Sequence, residues 1–102
     1  MKSLHQLHEM RSLRMHRLVA VRYPETPEDV GHFGLENLKR WRQRGVECDD
    51  FGTWKNILRS DPQRLPEILC GSGEEAIRLR QSSPFAGLIS DESRQQILAS
   101  TE

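Results

Sequence analysis

Hydrophobic residues recur along this chain at intervals of three and four positions, which is the spacing of one face of an α-helix. Between about Lys2 and Tyr23 this spacing places Leu4, Leu7, Leu18 and Val21 near a single stripe. The alternation of apolar and polar residues that marks a strand does not appear, and neither does an internal repeat. The pattern predicts an all-α protein with five to six helices in a small bundle-like domain.

Prolines and glycines set the boundaries of the two longest predicted helices. Pro24 ends the first helix because it lacks an amide donor and restricts the backbone of Tyr23. The second helix begins where Thr26 can cap and Pro27 fits the first helical position. Gly45 follows a basic last turn and is predicted to end this helix.

Shorter helices follow, each with its own start signal. Asp49 or Asp50 opens the third helix, and Asp61-Pro62 opens the next. The run Ser72-Gly73-Glu74-Glu75 matches a capping box, in which a serine and the glutamate three positions later satisfy free amides reciprocally. Ser90 is predicted to cap a final short helix.

Large apolar residues that can form one core are concentrated after Pro27. The first segment, residues 1–23, is instead rich in arginine, histidine and leucine. We interpret it as an N-terminal helical arm, whose apolar stripe either caps the core or lies on a partner; residues 24–102 form the main helical domain. The predicted core residues are Phe33, Leu35, Leu38, Trp41, Phe51, Trp54, Ile57, Leu58, Leu65, Ile68, Leu69, Ile77, Leu79, Phe85, Leu88 and Ile89.

Composition narrows the class of protein. The 102 residues include 15 basic and 15 acidic side chains, and this neutral balance disfavours a dedicated nucleic-acid binder. No apolar run approaches the length of a membrane span or of a signal-peptide core. Cys48 and Cys70 are distant from each other and lack metal-ligand spacing, so we expect both to stay reduced.

Catalytic chemistry finds little support in the sequence. His5 and His8 lie three residues apart, but no third metal ligand stands at a useful spacing. The acidic pairs Asp49-Asp50 and Asp91-Glu92 occur where helix caps are expected. Gly71-Ser72-Gly73 lacks the lysine and the preceding strand of a phosphate-binding loop. We therefore predict that the chain is not an enzyme and has no metal, no cofactor and no small-molecule substrate.

Two basic segments remain to be explained. In the run from Leu38 to Arg44, arginines flank Trp41, a combination typical of protein-interface hot spots and also suited to phosphate contacts. The alternative is an amphipathic helix end with Trp41 in the core and the charges in solvent. In the second segment a helix carrying Arg78 and Arg80 leads into a proline-aromatic turn, a place where exposed anchors are common.

The motifs of these segments resemble those of a known family. The order Asn37-Leu38-x-x-Trp41-x-x-x-Gly45, then Trp54-x-x-Ile57-Leu58, then Leu79-Arg80-Gln81-Ser82-Ser83-Pro84-Phe85-Ala86-Gly87 is similar to small bacterial antitoxins that accompany zeta-toxin-like or polynucleotide-kinase-like kinases. The opening Ser12-Leu13-Arg14-x-His16-Arg17-Leu18-Val19-Ala20 resembles the start of such proteins. The chain is also similar to the small partners of type III effector kinases in plant-pathogenic Xanthomonas.

The resemblance implies a helical, non-catalytic protein of the bacterial cytoplasm that binds its cognate kinase. It would suppress the bacteriostatic activity of that kinase by occluding the active-site region, in a hetero-oligomer for which 2:2 is one arrangement. Residues 24–102 would then be the kinase-binding domain. The predicted partner-binding residues are Arg40, Trp41, Arg42, Arg78, Arg80, Gln81, Ser82, Ser83, Pro84 and Phe85.

Two other classes of function remain open at this point. One is a type III secretion chaperone for the effector, although such chaperones tend to be acidic and this chain is neutral. The other is a DNA-binding autorepressor, which the arginines of the first two predicted helices favour. A DNA binder of this kind would show an affinity that falls steeply with salt.

Overall fold

The computed structural model describes residues 3–101, so the predicted helix start at Lys2 and the chain-terminal Met1 and Glu102 lie outside the described residues. Between residues 3 and 101 the structure contains helices and no strand, which confirms the predicted all-α class and helix number. A short 3-10 helix, Pro62–Arg64, precedes the fourth α-helix. The α-helices are α1 (Leu4–Arg22), α2 (Pro27–Gln43), α3 (Asp49–Ser60), α4 (Leu65–Cys70), α5 (Glu74–Gln81) and α6 (Asp91–Ser100).

Several helix boundaries follow from local chemistry as predicted. Pro27 occupies the first helical position of α2. Gly45 has a φ of 81°, a conformation that an L-residue with a Cβ rarely adopts, and α2 has ended before it. The Ser90 hydroxyl accepts a hydrogen bond from the amide of Ser93 and caps α6. These boundaries depend on a few neighbouring residues, which is why the sequence predicts them.

Two predicted caps are wrong. Thr26 stands at the N-cap of α2, but its hydroxyl donates backwards to the carbonyl of Arg22 and does not cap the new helix. Gly73, in an extended conformation, takes the N-cap of α5, so that helix begins at Glu74. Glu75 is then the second helical residue and not the third, and the reciprocal bonds of a capping box with Ser72 do not form.

Trp54 lies at the centre of the core. Its side chain is fully buried, its indole nitrogen donates to the Leu79 carbonyl at 2.9 Å, and its ring meets Phe85 edge to face at a centroid distance of 5.5 Å. The buried apolar residues that form the core are Val19, Val30, Leu38, Trp54, Ile57, Leu58, Leu65, Ile68, Leu69, Leu79, Phe85 and Ile89.

Helix α1 packs on the core, but not through the apolar stripe predicted for that contact. It contacts α4, α5, α6 and α2, and it buries Val19 and His16 completely. Its opposite side leaves Leu4, Leu18 and Val21 exposed. The first helix therefore contributes core side chains and also presents an apolar outer stripe.

The α2 and α3 helices are joined by residues 44–48 and approach each other closely at Gly34. A Cβ at this position would lie 2.9 Å from Leu58 Cδ1 and 3.2 Å from Phe85 Cε1. A side chain here would overpack the core. The glycine thus allows α2, α3 and the Phe85 segment to meet.

Candidate functional site

Arg80, a predicted partner-binding residue, is buried, and its prediction as a surface contact is wrong. Only 1% of its side chain is exposed. One terminal nitrogen donates to the carbonyls of Ile68 at 2.8 Å and Gly71 at 2.7 Å, and the other pairs with Glu9 at 3.1 Å. The guanidinium joins α5 to the end of α4 and to α1, so a partner cannot reach it in this conformation.

Pro84 and Phe85 are also buried, which confirms the prediction of Phe85 as a core residue and corrects the prediction of both as exposed anchors. The side-chain nitrogen Nδ2 of Asn37 donates to the backbone carbonyl of Pro84 at 2.9 Å and to that of Ala86 at 3.1 Å. These bonds hold the turn against α2, where Gly34 leaves room for the Phe85 ring. The proline-aromatic turn therefore points inward and stabilises the fold.

The other predicted residues of this segment lie nearer the surface. Arg78 is exposed and pairs with Asp50 at 3.2 Å, and Gln81 is exposed. Ser82 and Ser83 are half-buried and make local bonds: the Ser82 hydroxyl donates to the Leu79 carbonyl, and the Ser83 hydroxyl accepts from the amide of Phe85. Arg78 and Gln81 are consequently the members of this segment best placed to contact a partner.

The end of α2 presents an unpaired basic surface. Arg40 and Arg42 are exposed, while Trp41 is half-buried and packs on Phe51 with a ring-centroid distance of 5.4 Å. Within residues 3–101 no carboxylate stands at ion-pair distance from Lys39, Arg40, Arg42 or Arg44. Trp41 thus lies at the edge of the core, as one of the two interpretations predicted, and the cations around it are available.

A groove of about 980 Å³ runs between α2 and α3 beside this surface. Leu35, Val46 and Phe51 give it apolar lining, and Val46 remains 47% exposed. Its charged and other polar lining residues are His32, Glu36, Lys39, Arg42, Glu47, Asp49, Lys55 and Arg59. A groove that combines apolar side chains with charges of both signs, four cations and three carboxylates, is suited to binding a protein segment.

The first turn of α3 brings the two predicted segments together. Arg78 of α5 pairs with Asp50, and Trp41 of α2 packs on the adjacent Phe51. The two segments are separated by more than thirty residues in sequence, yet they contact neighbouring positions. We define the α2–α3 face as the groove together with Arg40, Trp41 and Arg78.

Sequence reasoning missed the contribution of α3 to this face. Phe51, Lys55 and Arg59 follow one another at intervals of four, which places them on one side of a helix. Leu35, Lys39 and Arg42 show the equivalent spacing on α2. Both patterns were visible in the sequence, but only the packing of α2 on α3 shows that the two rows face one groove.

The described residues do not supply a metal site. No group of three or more histidine, cysteine, aspartate or glutamate side chains in residues 3–101 is arranged to hold a metal ion. Helices long and apolar enough to cross a membrane are likewise absent from this part of the chain. The α2–α3 face offers hydrogen-bond donors, charges and apolar surface, which are the means of recognition.

His16 is the residue whose protonation is most clearly altered by the fold. Its ring is fully buried and donates from Nδ1 to the Ser12 carbonyl at 2.7 Å, while Nε2 has no partner within residues 3–101. Burial lowers the pKa of His16 below its usual 6.5, and the nearby Arg80 cation lowers it further. The bond to Ser12 and the charge of Glu9 oppose this shift.

This shift predicts an acid-sensitive stability. The unfolded chain takes up a proton at His16 near pH 6.5, whereas the folded chain does so only at a lower pH. The stabilisation that comes from a neutral His16 is therefore complete above pH 6.5 and is lost as pH falls towards the lower folded-state pKa. We expect urea midpoints between pH 8 and 5 to fall more steeply for the wild type than for His16→Gln. The exposed-site variant His32→Gln should retain the wild-type slope; identical slopes in all three proteins would contradict the assignment.

Comparisons with models of protein families, with characterised proteins and with solved structures find no match for this chain. Its function is therefore inferred from the α2–α3 face and from the motifs of its own sequence.

Proposed function

We propose that this chain is a non-catalytic, antitoxin-like protein that binds a zeta-toxin-like or polynucleotide-kinase-like kinase, such as a type III effector kinase. It would suppress the bacteriostatic activity of that kinase by covering its active-site region. The observation that carries the proposal is the α2–α3 face, where cations, most of them without ion-pair partners in residues 3–101, lie in and beside a partly apolar groove with an aromatic edge. The motif resemblance supplies the class of partner.

The composition of the α2–α3 face suits protein binding. Arginine and tryptophan are enriched among the residues that dominate interface energies, and Trp41 stands between Arg40 and Arg42. Trp41 is held by Phe51, so little ordering entropy is lost when a partner covers it. The partly exposed apolar lining would be removed from water in the same step.

The charges indicate which surface of a kinase would be bound. A phosphate-binding cleft is itself basic and would repel the arginines of this face, so these side chains are expected to pair with acidic groups at the rim of the cleft. Acidic side chains of the antitoxin would enter the cleft itself. A stable complex of this kind would bury on the order of 1,500 Å² in total.

Co-expression tests the proposed function directly. A P-loop kinase encoded beside this gene should arrest the growth of a bacterial host, and co-expression of the full chain should restore growth and allow both proteins to be purified together. If the chain binds the kinase but leaves it fully active, the chaperone alternative replaces the proposal. If growth is not restored and no complex forms, neither function is supported.

Charge reversal at the groove should weaken the complex. We expect Arg42→Glu to raise the Kd for the kinase about tenfold or more, since it replaces an unpaired cation of the face with a like charge for an acidic partner. Arg17→Glu, on the exposed side of α1, is the matched control and should change the Kd little. Titration calorimetry at fixed salt measures both; equal losses in the two variants would contradict a specific role for the groove.

The same unpaired cations favour a second candidate, the DNA-binding autorepressor. The chain as a whole carries no net charge, however, whereas nucleic-acid-binding domains usually have a basic excess. Fluorescence anisotropy with a duplex of the gene's own upstream region separates the two functions. A DNA binder would bind at near-physiological salt with an affinity that falls steeply as salt rises, whereas a kinase partner would bind the duplex weakly under the same conditions.

A further inference from the structure

We propose that the α2–α3 groove receives a single helix of the partner, which carries carboxylates towards the groove rims and small residues against Gly52. This inference rests on the proposed function and specifies the element that is recognised. Three features of the face support it: the shape of the groove, an unexplained glycine and the distribution of charge.

The shape of the groove suits a helix. The groove is lined by residues between 32 and 42 of α2, by the short linker between the helices and by residues between 49 and 59 of α3, so it extends along both helices. Two packed helices offer a third one a channel in which side-chain ridges can interdigitate. An amphipathic helix that places its apolar side in such a channel is a common mode of recognition. Leu35, Val46 and Phe51 would supply the apolar contacts.

Gly52 has no role in packing within the described chain. It lies inside α3, is exposed, and a Cβ built on it would meet nothing within 4 Å. Glycine inside a helix destabilises the helix relative to alanine, and here no steric or backbone requirement of the fold explains it. Gly52 lines the groove, so its bare backbone would let the backbone of a docked helix approach closely.

The charges of the groove select an acidic occupant. Lys39 and Arg42 on α2 and Lys55 and Arg59 on α3 line both sides of it, and within residues 3–101 none of them forms an ion pair. Three carboxylates, those of Glu36, Glu47 and Asp49, share the lining but also lack ion-pair partners there. The cations are therefore more numerous, and Arg40 and Arg44 beside the groove increase the excess.

Substitution of Gly52 gives a test in which stability and binding change in opposite directions. Gly52→Ala should raise Tm by about 4 °C because alanine favours the helix. It should also raise the Kd for the neighbouring kinase about tenfold or more, because the added methyl blocks the close approach. Gly31→Ala is the matched control: Gly31 lies inside α2, a Cβ there would also meet nothing within 4 Å, and it does not line the groove. This variant should raise Tm similarly and leave the Kd unchanged.

A second measurement uses the full chain without the kinase. An 18-residue helical peptide of Glu, Ala and Leu, with Ala and Leu on one face, is titrated into the labelled protein while amide signals are recorded. Signals of Arg42, Gly52 and Lys55 should shift with this peptide and much less with the same peptide carrying Lys in place of Glu. Equal shifts with both peptides, or none at the groove, would overturn the acidic-helix assignment.

The two measurements separate the inference from the function on which it rests. If the kinase binds the wild type and Gly52→Ala equally well, the docked helix is refuted while the proposed function stands. If the wild type binds no kinase but the acidic peptide shifts the groove signals, the proposed function is refuted and the groove retains its assigned ligand.

Discussion

Truncation of Phe85 to alanine is expected to lower the free energy of unfolding by about 3–5 kcal/mol, the usual cost of removing a buried phenylalanine. Only 1% of Phe85 is exposed, and its ring meets Trp54 edge to face and lies near His16. A domain of this size is stable by about 5–15 kcal/mol in total, so the variant should be partly unfolded at moderate temperature.

Urea unfolding followed by circular dichroism measures this loss. Leu98→Ala is the control, because Leu98 is 38% exposed on α6 and should lose far less stability. If Phe85→Ala keeps wild-type stability but no longer binds the kinase, Phe85 acts as an exposed anchor and the placement described above is incorrect.

Replacement of Arg80 by methionine is expected to destabilise the fold by about 3 kcal/mol or more, although methionine is apolar and similar in length. The change removes the donor for the Ile68 and Gly71 carbonyls and leaves the Glu9 carboxylate without its partner. Buried acceptors that lose their donors bear the full cost of desolvation. The contacts between α1, α4 and α5 should loosen together.

A double-mutant cycle separates the ion pair from the carbonyl bonds. Glu9→Gln alone should cost less than Arg80→Met, and the double variant should lose less than the sum, because one partner of the pair is already absent. Arg78→Met, two residues away on the same helix, removes only an exposed pair with Asp50 and should stay within about 1 kcal/mol of the wild type. Equal losses for Arg78→Met and Arg80→Met would contradict the buried role of Arg80.

Several residues of the sequence motifs are buried, and this bears on how a partner would be recognised. Arg80, Pro84 and Phe85 belong to the segment on which the resemblance chiefly depends, and all three are buried. Asn37, another motif residue, holds the backbone of the same turn. These motif residues therefore meet the requirements of packing, and we expect partner choice to depend on exposed residues such as Arg42 and Arg59.

The sequence predicted part of the candidate site, because helical spacing assigns residues to the faces of a helix. Arg40 and Arg42 were expected at an exposed helix end and are found there. Spacing does not say which face meets which neighbour, and for this reason the groove between α2 and α3 was not predicted. Phe85 was predicted both as a core residue and as a partner-binding anchor, because a proline-aromatic turn can point inward or outward. The structure confirms the core placement, and Gly34, fifty-one residues earlier, leaves room for the ring.

The sequence by itself determined the helical class, the number of helices and most of their ends, because prolines, glycines and capping hydroxyls act on backbone groups only a few residues away. The tertiary structure alone decided which polar side chains are buried. Arg80 is drawn inward by carbonyls at the end of α4 and by Glu9, a residue 71 positions away in the chain. Such contacts form only when distant helices pack, and the packing of α2 on α3 likewise creates the groove between them.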